Sequence, residues 1–356
     1  MYNNSWDSVS VLYTYCIKYI RLKDIVIPAL SSMEFKSPAK AINIYLNLNE
    51  LFRIYHPDQN SPASNNDLSL ASAIINIAGH YNAYLRANIN MPIKIHLVYG
   101  SYSPYFNRGF YPEYNLSKTN KMNNDKYTLN IINDNIEIMK LLTKYIPRLY
   151  FNTTSFEPGV LMYHLIKSRP DEAHLIIDKD PYNYQLVSNN CCILRPKKRK
   201  NADDVLEDCS YIVHRHNVFD VYCKERGMKP GCNVFDRLDS GLYTLFLSIN
   251  GTNLRGLPAR GKRANTSAKI LETAVLQDAV LNSHNTITPE SDIIKYVNES
   301  DLYNYYCSLD IPTQHKAYMA SSEINNLHFE ELFDKNAIHE INNKYFGTCP
   351  IILDNF

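Results

Sequence analysis

The sequence predicts an α/β protein with a mostly parallel sheet, flanking helices and a further helical region after it. From Ala41 to about residue 216, short apolar segments alternate with longer segments whose apolar residues recur at helical spacing. After Asn217 the patterns are mainly helical. Strands that alternate with helices are typical of a parallel sheet with crossover helices, and this alternation determines the predicted fold class.

One helix is predicted before the sheet. Apolar side chains lie close to helical spacing within residues 6–30, and Pro28 is expected to end the pattern. Amphipathic spacing indicates only that one face is buried, so packing on the chain's own domain is favoured over a partner-binding arm.

Six strands and four helices follow in order. The predicted strands are Ala41–Leu46, Ile93–Tyr99, Leu149–Phe151, His174–Ile177, Cys191–Leu194 and Tyr211–His214. The predicted helices are Asn49–Tyr55, a long helix through Leu70–Leu85 capped by Asp67, Ile131–Tyr145, and Pro158–Lys167 with proline at its start. No repeat typical of solenoids or propellers is evident.

Composition indicates a globular protein with no membrane-spanning segment. The chain has 356 residues, with 37 Lys and Arg against 36 Asp and Glu, so any basic surface must be local. No apolar run reaches the roughly 18 residues of a membrane span, and the first residues lack a secretory signal. The eight cysteines form no C-x-x-C pair, which favours reduced thiols. We therefore expect a location in a host cytoplasm or a virion.

Four segments carry a resemblance to one family. They are Asn49–His56, Arg108 with Phe110–Asn115, Asp178-Lys179-Asp180, and Thr252–Gly261 continuing to Leu271. In this order they resemble the Asn-x-Leu-x-Arg run, the Tyr-Pro-Glu-Tyr arch entry, the Asp-Lys-Asp motif and the helical hairpin of flap-endonuclease-like 5′-nucleases, which have a PIN-like fold. The tyrosine-rich, Asn-, Ile- and Lys-rich composition resembles that of an AT-rich, viral genome.

The resemblance also shows which acids are missing. Where the family has aspartates after the first two strands, this chain has Leu46-Asn47 and Tyr99-Gly100, and the hairpin acids correspond to Ile249 and Thr252. The surviving remnant catalytic and metal-binding acids are Glu157, Asp178 and Asp180. Phosphodiester hydrolysis by two metal ions requires a carboxylate cluster, so we expect at most one Mg²⁺ or Mn²⁺ ion and a pseudoenzyme. The alternative for Asp178 and Asp180 is a solvated strand end or helix cap.

The same resemblance implies a nucleic-acid-binding surface, with DNA as the partner and RNA as an alternative. Glycines in the hairpin would permit close approach of backbone N–H groups to phosphate, and nearby basic residues add charge. The expected binding residues are Arg53, Arg108, Lys118, Lys121, Asn253, Arg255, Gly256, Arg260, Gly261, Lys262, Arg263 and Lys269. A solvated basic loop between packed helices is the structural alternative.

Two further clusters of residues in the sequence could carry function. The basic residues Arg195 and 197–200 could contact phosphates, form an import signal, or make a solvated loop. Zinc is not favoured, because adjacent cysteines rarely chelate one ion and two histidines on one strand would point to opposite faces. The residues of that cluster are Cys191, Cys192, Cys209, His214, His216 and Cys223.

These observations predict four parts. Residues 1–38 form an N-terminal helical extension, 39–216 the PIN-like 5′-nuclease domain, 217–280 the helical-hairpin region, and 281–356 a C-terminal helical extension. The predicted function is a catalytically degenerate 5′-nuclease-like protein that binds nucleic acid or viral protein partners, the latter through its two extensions. The alternatives are an active Mg-dependent 5′-3′ exonuclease with ligands relocated from Asp171, Glu172 or Asp236, and a purely structural virion protein.

Overall fold

A computed structural model describes twelve parts of the chain. They are residues 19–35, 38–54, 69–101, 105–110, 112, 114, 126–196, 212–225, 242–250, 302–321, 334–346 and 350–356. The hairpin region around residues 251–300 lies outside the described residues, as do Lys118, Lys121 and the proposed cap Asp67.

A six-stranded sheet forms the centre of the described structure. Its strands, numbered β1 to β6, are Ile42–Asn47, Ile93–Tyr99, Leu149–Thr153, Ala173–Ile177, Cys191–Leu194 and Ile212–Val213. They lie in the order β3-β2-β1-β4-β5-β6. The first five strands are parallel, and β6 pairs antiparallel with β5. The central strands are short and apolar because both faces of a parallel sheet are covered.

The α-helices, numbered α1 to α11, surround this sheet. Their bounds are Val26–Ser31, Leu48–Ile54, Ser69–Asn88, Tyr105–Phe110, Lys126–Thr143, Pro158–Lys167, Val218–Glu225, Tyr243–Asn250, Leu302–Leu309, Ile311–Met319 and Lys335–Ile341. Shorter 3-10 helices cover Leu22–Ile25, Pro181–Leu186 and Leu353–Asn355, and a π-helix covers Asn342–Phe346. No described helix is both long and apolar enough to cross a bilayer.

One face of the sheet is covered by α1, α3 and α5 together with residues from the last part of the chain. Alternate strand residues such as Ile44, Leu97 and Leu175 point to this side and are fully buried. The C-terminal residues contact α3 directly: the Asn82 side chain donates to the Asn355 carbonyl at 2.8 Å, and Gly79 leaves room for Phe356. Of the predicted helix within residues 6–30, only residues 19–30 are described, and these pack on the chain's own sheet through buried residues such as Leu22 and Val26. For residues 6–18 the preference stays a prediction.

The opposite face is covered by α6, α7, α8 and α10, and it contains a buried polar layer next to the apolar residues. The His96 ring lies 4.9 Å from that of Tyr45, and His174 hydrogen-bonds the Tyr45 hydroxyl at 2.9 Å. Further along, the Asn43 amide donates to Glu172 at 2.7 Å. This layer separates the apolar core beneath α6 from the amino end of the strands.

The α/β prediction with a mostly parallel sheet is confirmed, and the predicted bounds of β2, β5 and α6 match those observed. One local prediction was wrong: Pro28 does not end the first helix but is the third residue of α1. Proline is tolerated there because N–H groups in the first helical turn have no intrahelical acceptor. The four-part division of the chain stays a prediction.

Candidate functional site

The order of the strands reverses at β1, so the sheet has a topological switch point between β1 and β4. The chain runs outwards from β1 to β2 and β3, then returns to the other side of β1 with β4 and β5. In open parallel sheets, ligands bind beyond the carboxyl ends of the strands where the order reverses. Here that position lies between Asn47, the last residue of β1, and Asp178, the residue after β4.

The Asp178 carboxylate is fully buried and surrounded by hydrogen-bond donors. Its Oδ2 accepts from the side-chain amides of Asn47 at 2.8 Å and Asn183 at 2.5 Å. Its Oδ1 accepts from the backbone N–H of Asp180 at 2.9 Å. Asn47 therefore replaces the acid that the resemblance implies at this position, and its amide also donates a hydrogen bond to the remaining acid, Asp178.

Electrostatics around Asp178 oppose a second negative charge. Burial, together with the nearby carboxylates of Asp180 and Glu50, raises the pKa of Asp178 to about 7. The hydrogen bonds from the Asp180 backbone and Asn47 act in the opposite direction but do not restore an ordinary value. A buried carboxylate with acidic neighbours is a common environment for a functional group, and structural networks produce it too.

Asn49 holds the ends of β1 and β2 together. Its amide nitrogen donates to the carbonyl of Gly100 at 2.7 Å, and its oxygen accepts from the Gly100 N–H at 2.9 Å. Gly100 is required because a Cβ there would lie 2.6 Å from the carbonyl oxygen of Phe156 and from the nitrogen of Pro158. This close approach brings the segment containing Glu157 to the end of the sheet.

The other two predicted remnant acids also lie at this end of the sheet and are buried. Glu157 occupies the N-cap position of α6, yet its side chain does not cap the helix. Asp180 accepts from the backbone N–H of Tyr182 at 3.0 Å and so caps the 3-10 helix Pro181–Leu186. Asp180 is therefore a helix cap, as the alternative interpretation has it. Asp178 is not a cap, because its oxygens accept from the amides of Asn47 and Asn183 and from the Asp180 N–H.

Two site residues were not identified from the sequence. Glu50 is buried and close enough to raise the pKa of Asp178, and it lies three residues after β1 ends. Asn183 follows Asp178 by five residues and packs against Gly159, where a Cβ would collide with its side-chain oxygen. The signal in the sequence is position: Glu50 is a polar residue soon after the end of β1, and Asn183 is one soon after the end of β4.

Several predicted residues lie elsewhere or cannot be placed. Arg53 lies in α2, but its side chain is outside the described residues, and Arg108 is half-buried on α4. The remaining predicted nucleic-acid contacts, including Asn253 and Lys269, are also outside the described residues. The structure therefore leaves the predicted binding surface as a prediction.

The acids proposed for relocation do not reach this site. Asp171 and Glu172 precede β4, at the opposite end of the strand from Asp178. Asp171 pairs with Lys40 at 2.8 Å, and Glu172 pairs with Lys94 at 2.7 Å. Relocation of these two acids is wrong for this reason, and Asp236 is outside the described residues.

Two sequence interpretations need correction. Arg195 is not part of a solvated basic loop: it is buried, forms an ion pair with Glu225, and lies over the Tyr184 ring at 5.5 Å. His214 and His216 do not occupy one strand, because β6 ends at Val213. Instead their rings lie 6.0 Å apart in the following turn.

The two described cysteines of the zinc cluster, Cys191 and Cys192, do not converge on one point. Cys191 and Cys192 are consecutive in β5, so their side chains point to opposite faces, where each belongs to a different buried core. Cys209 is outside the described residues, as is the side chain of Cys223.

The described carboxylates do not fit a pair of divalent cations. Both oxygens of Asp178 accept hydrogen bonds from amide groups, and Asn47 contributes a neutral donor where a negatively charged ligand would be needed. Within the described residues, no three His, Cys, Asp or Glu side chains are grouped so that they could hold a metal ion. We therefore derive no metal-dependent step from this geometry.

The sheet order, the flanking helices and the site at the switch point define a 5′-nuclease fold of the PIN-like α/β class. No protein-family model matches the sequence, and no curated protein matches it either.

Solved structures of bacteriophage T5 proteins share this fold. The T5 protein co-crystallised with metal ions has a TM-score of 0.52 and 13% sequence identity, covering 80% of this chain and 96% of that one. The T5 flap endonuclease pseudo-enzyme–product complex with DNA and metal ions has a TM-score of 0.50 at 13% identity, covering 87% and 99%. Zinc-bound T5 5′-exonuclease has the same score, identity and coverage. At this identity the likeness shows the fold alone.

Proposed function

We propose that this chain is a catalytically degenerate protein of 5′-nuclease fold that binds DNA without hydrolysing it efficiently. The observation that carries the proposal is the hydrogen bond from the Asn47 amide to Asp178 at 2.8 Å. At the switch point, where a two-ion nuclease needs an anionic ligand on the first strand, the chain has a neutral side chain that uses its N–H group to stabilise the neighbouring acid.

The chemistry of hydrolysis explains why this exchange matters. Two divalent ions about 4 Å apart must be largely balanced by carboxylates, and they stabilise both the attacking and the leaving oxygen. Asp178 here receives its positive partial charges from Asn47, Asn183 and a backbone N–H. A cation would have to displace these donors to coordinate the same oxygens.

DNA binding is supported by sequence and by the structural neighbours rather than by the described site. The predicted hairpin contains Arg255 and Arg260, each followed directly by a glycine, and then Lys262 and Arg263. A T5 protein of the same fold was solved in complex with DNA. We propose an accessory or structural role in a viral setting, in the host cytoplasm or in the virion. Protein partners would contact exposed sides of residues 19–35, 334–346 and 350–356, because the apolar sides of these segments are buried.

One observation favours an active Mg-dependent nuclease as the second candidate. Glu50 adds a buried acid to Glu157, Asp178 and Asp180, and it interacts electrostatically with Asp178. Four carboxylates could balance one Mg²⁺ or Mn²⁺ ion if the amide donors rotated away. This candidate relies on Glu50 rather than on the acids that precede β4.

A cleavage assay distinguishes the two candidates. Purified protein is incubated with 5′-flap and 5′-ended duplex DNA in Mg²⁺ or Mn²⁺, beside Asp178→Ala as the matched control. We expect wild type and Asp178→Ala to be indistinguishable. Cleavage by wild type that disappears in both Asp178→Ala and Glu50→Gln would refute degeneracy and establish the second candidate.

Salt-dependent retention of DNA tests the binding role. The apparent binding constant for 5′-flap DNA should fall linearly on a logarithmic salt scale. Replacing Arg260, Lys262 and Arg263 together by alanine should reduce that slope by roughly 2 to 3. Lys335→Ala on α11, remote from the hairpin in sequence, is the matched control. Failure to retain DNA at any salt concentration would support the purely structural role instead.

A further inference from the structure

Two histidines on different helices meet edge to edge on the α6 side of the sheet. Nδ1 of His164, in α6, lies 3.2 Å from Nε2 of His315, in α10. Their ring centroids are 5.4 Å apart with an angle of 34° between the planes. The residues are separated by 151 positions in the sequence, so only the packing of α10 on α6 brings these nitrogens together.

Aromatic side chains support both rings. The ring of Tyr163 meets that of His315 edge-on at 5.0 Å, and the ring of Tyr318 lies 5.3 Å from that of His164. Both histidines remain partly exposed, so an ion could reach their nitrogens from solvent. The tyrosines restrict the rotation of rings that would otherwise have to be ordered on binding.

We propose that His164 and His315 together bind one transition-metal ion of the zinc class, which links α10 to α6. Two imidazole nitrogens bonded to a tetrahedral zinc ion at about 2.0–2.1 Å lie roughly 3.3 Å apart. The observed 3.2 Å therefore already matches the spacing of two ligands on one ion. Imidazole is a preferred ligand of zinc, copper and nickel, whereas magnesium prefers oxygen.

The protonation of the two histidines and the nearby positive charges determine how strongly this site binds a cation. Burial lowers the pKa of His164, and it lowers that of His315 to about 4, so both rings are neutral at neutral pH. In the neutral pair one of the two facing nitrogens carries the hydrogen of the 3.2 Å contact, and the ion takes the place of that hydrogen, which moves to the other nitrogen of the same ring. Lys167 and Arg169 add positive charge nearby, which weakens binding of a cation. Since no third ligand of the His, Cys, Asp or Glu type joins the pair among the described residues, water completes the coordination.

The site is separate from the acids at the switch point and does not depend on the proposed nuclease ancestry. Its structural effect would be a cross-link between α10 and the helix that begins next to Glu157. An ion that binds the folded chain and not the unfolded chain raises stability by mass action. The readout is therefore stability, not cleavage.

The test measures thermal unfolding of chelator-treated full-length protein with added zinc chloride. We expect Tm to rise by about 4 °C when zinc is a hundredfold above half-saturation. His164→Ala and His315→Ala should each abolish the rise. His214→Ala combined with His216→Ala, which removes a second neighbouring pair of histidines, should leave it intact.

A conservative variant and a second metal test whether the alanine variants lose the zinc response only because they misfold. His315→Gln preserves a polar side chain of similar reach and should also lose the zinc response. Co²⁺ should give a visible absorption band with wild type that zinc displaces and that His315→Gln lacks. An unchanged Tm in wild type, or a rise retained in His315→Gln, would show that the pair is only an imidazole–imidazole hydrogen bond.

Discussion

Acidification should destabilise the fold through His174, which is fully buried in β4. The Tyr45 hydroxyl donates to its Nδ1 at 2.9 Å, and its Nε2 lies 2.9 Å from the carbonyl oxygen of Arg169. These partners fit a neutral ring that accepts at Nδ1 and donates at Nε2. A charged ring would have to donate at both positions, and burial would penalise its charge.

The magnitude follows from the pKa. Burial lowers the pKa of His174 to about 4 from an ordinary 6.5. Between these values the unfolded chain binds the proton and the folded chain does not, so stability is complete above about pH 6.5 and falls as the pH approaches 4. At about 1.4 kcal/mol per pH unit, the loss is roughly 3 kcal/mol. His96, whose pKa burial also lowers, acts in the same direction. Asp178, whose pKa is raised to about 7, acts in the opposite direction, so the contribution of His174 is the difference between wild type and a His174 variant.

Urea denaturation followed by circular dichroism, from about pH 8 down to about pH 4, measures this loss. His174→Gln should flatten the dependence by about one proton, because its amide can accept from Tyr45 and donate to the Arg169 carbonyl. His339→Ala, at an exposed position in α11, is the control and should leave the slope unchanged. If His174→Gln keeps the full wild-type slope, the buried neutral histidine is not the source of the effect.

The remaining predictions concern the strand ends and one buried ion pair, each measured as a free energy of unfolding. Asn49→Ala removes both hydrogen bonds to Gly100 and should cost about 2 kcal/mol. Gly100→Ala should cost roughly 2–4 kcal/mol, because its Cβ would lie 2.6 Å from backbone atoms. Gly109→Ala, with no atom within 4 Å, should be neutral or slightly stabilising. Arg195→Met removes the cation paired with Glu225 and should cost about 3 kcal/mol.

Each of these has a result that would contradict it. Equal stability of the two glycine variants would mean that the close approach at Gly100 is relaxed in solution. A combined Asn49→Ala and Gly100→Ala variant whose cost is the sum of the single costs would show that the two residues act separately. Arg195→Met together with Glu225→Leu should recover stability relative to Arg195→Met alone, and failure to do so would remove the ion-pair explanation.

The sequence could locate the site because the position of an acid after a parallel strand is a local property. Asp178 follows an apolar strand directly, and the carboxyl ends of parallel strands share one edge. The hydrogen bond from Asn47 could not be predicted, since it depends on the β1–β4 register, which pairs Leu46 with Ile177 across 131 positions. For the same reason, sequence alone could recognise a missing acid at Asn47 but not its replacement by an amide donor.

Other differences between the sequence predictions and the structure arise from contacts between residues far apart in the sequence. The basic run containing Arg195 is typical of a solvated loop, but its first residue directly follows the buried strand β5 and meets Glu225 of α7. Glu50 lies within Asn49–His56, where the family resemblance implies an Asn-x-Leu-x-Arg run without a catalytic acid, so neither the pattern nor the resemblance predicts its place in the site. The bounds of α6 were predictable because Pro158 marks its first turn within the sequence itself.

The contact between α3 and the last residues of the chain has a consequence during synthesis. Gly79 and Asn82 meet Asn355 and Phe356, which are translated about 270 residues later. At about 5–20 residues per second, that side of α3 stays exposed for on the order of 15–50 s before Asn355 and Phe356 are translated. Once β6 has also emerged, the nascent chain has every described strand of the sheet but still lacks the residues that cover this side of α3. We expect chaperones to bind the exposed side, and a variant without residues 350–356 to be prone to aggregate.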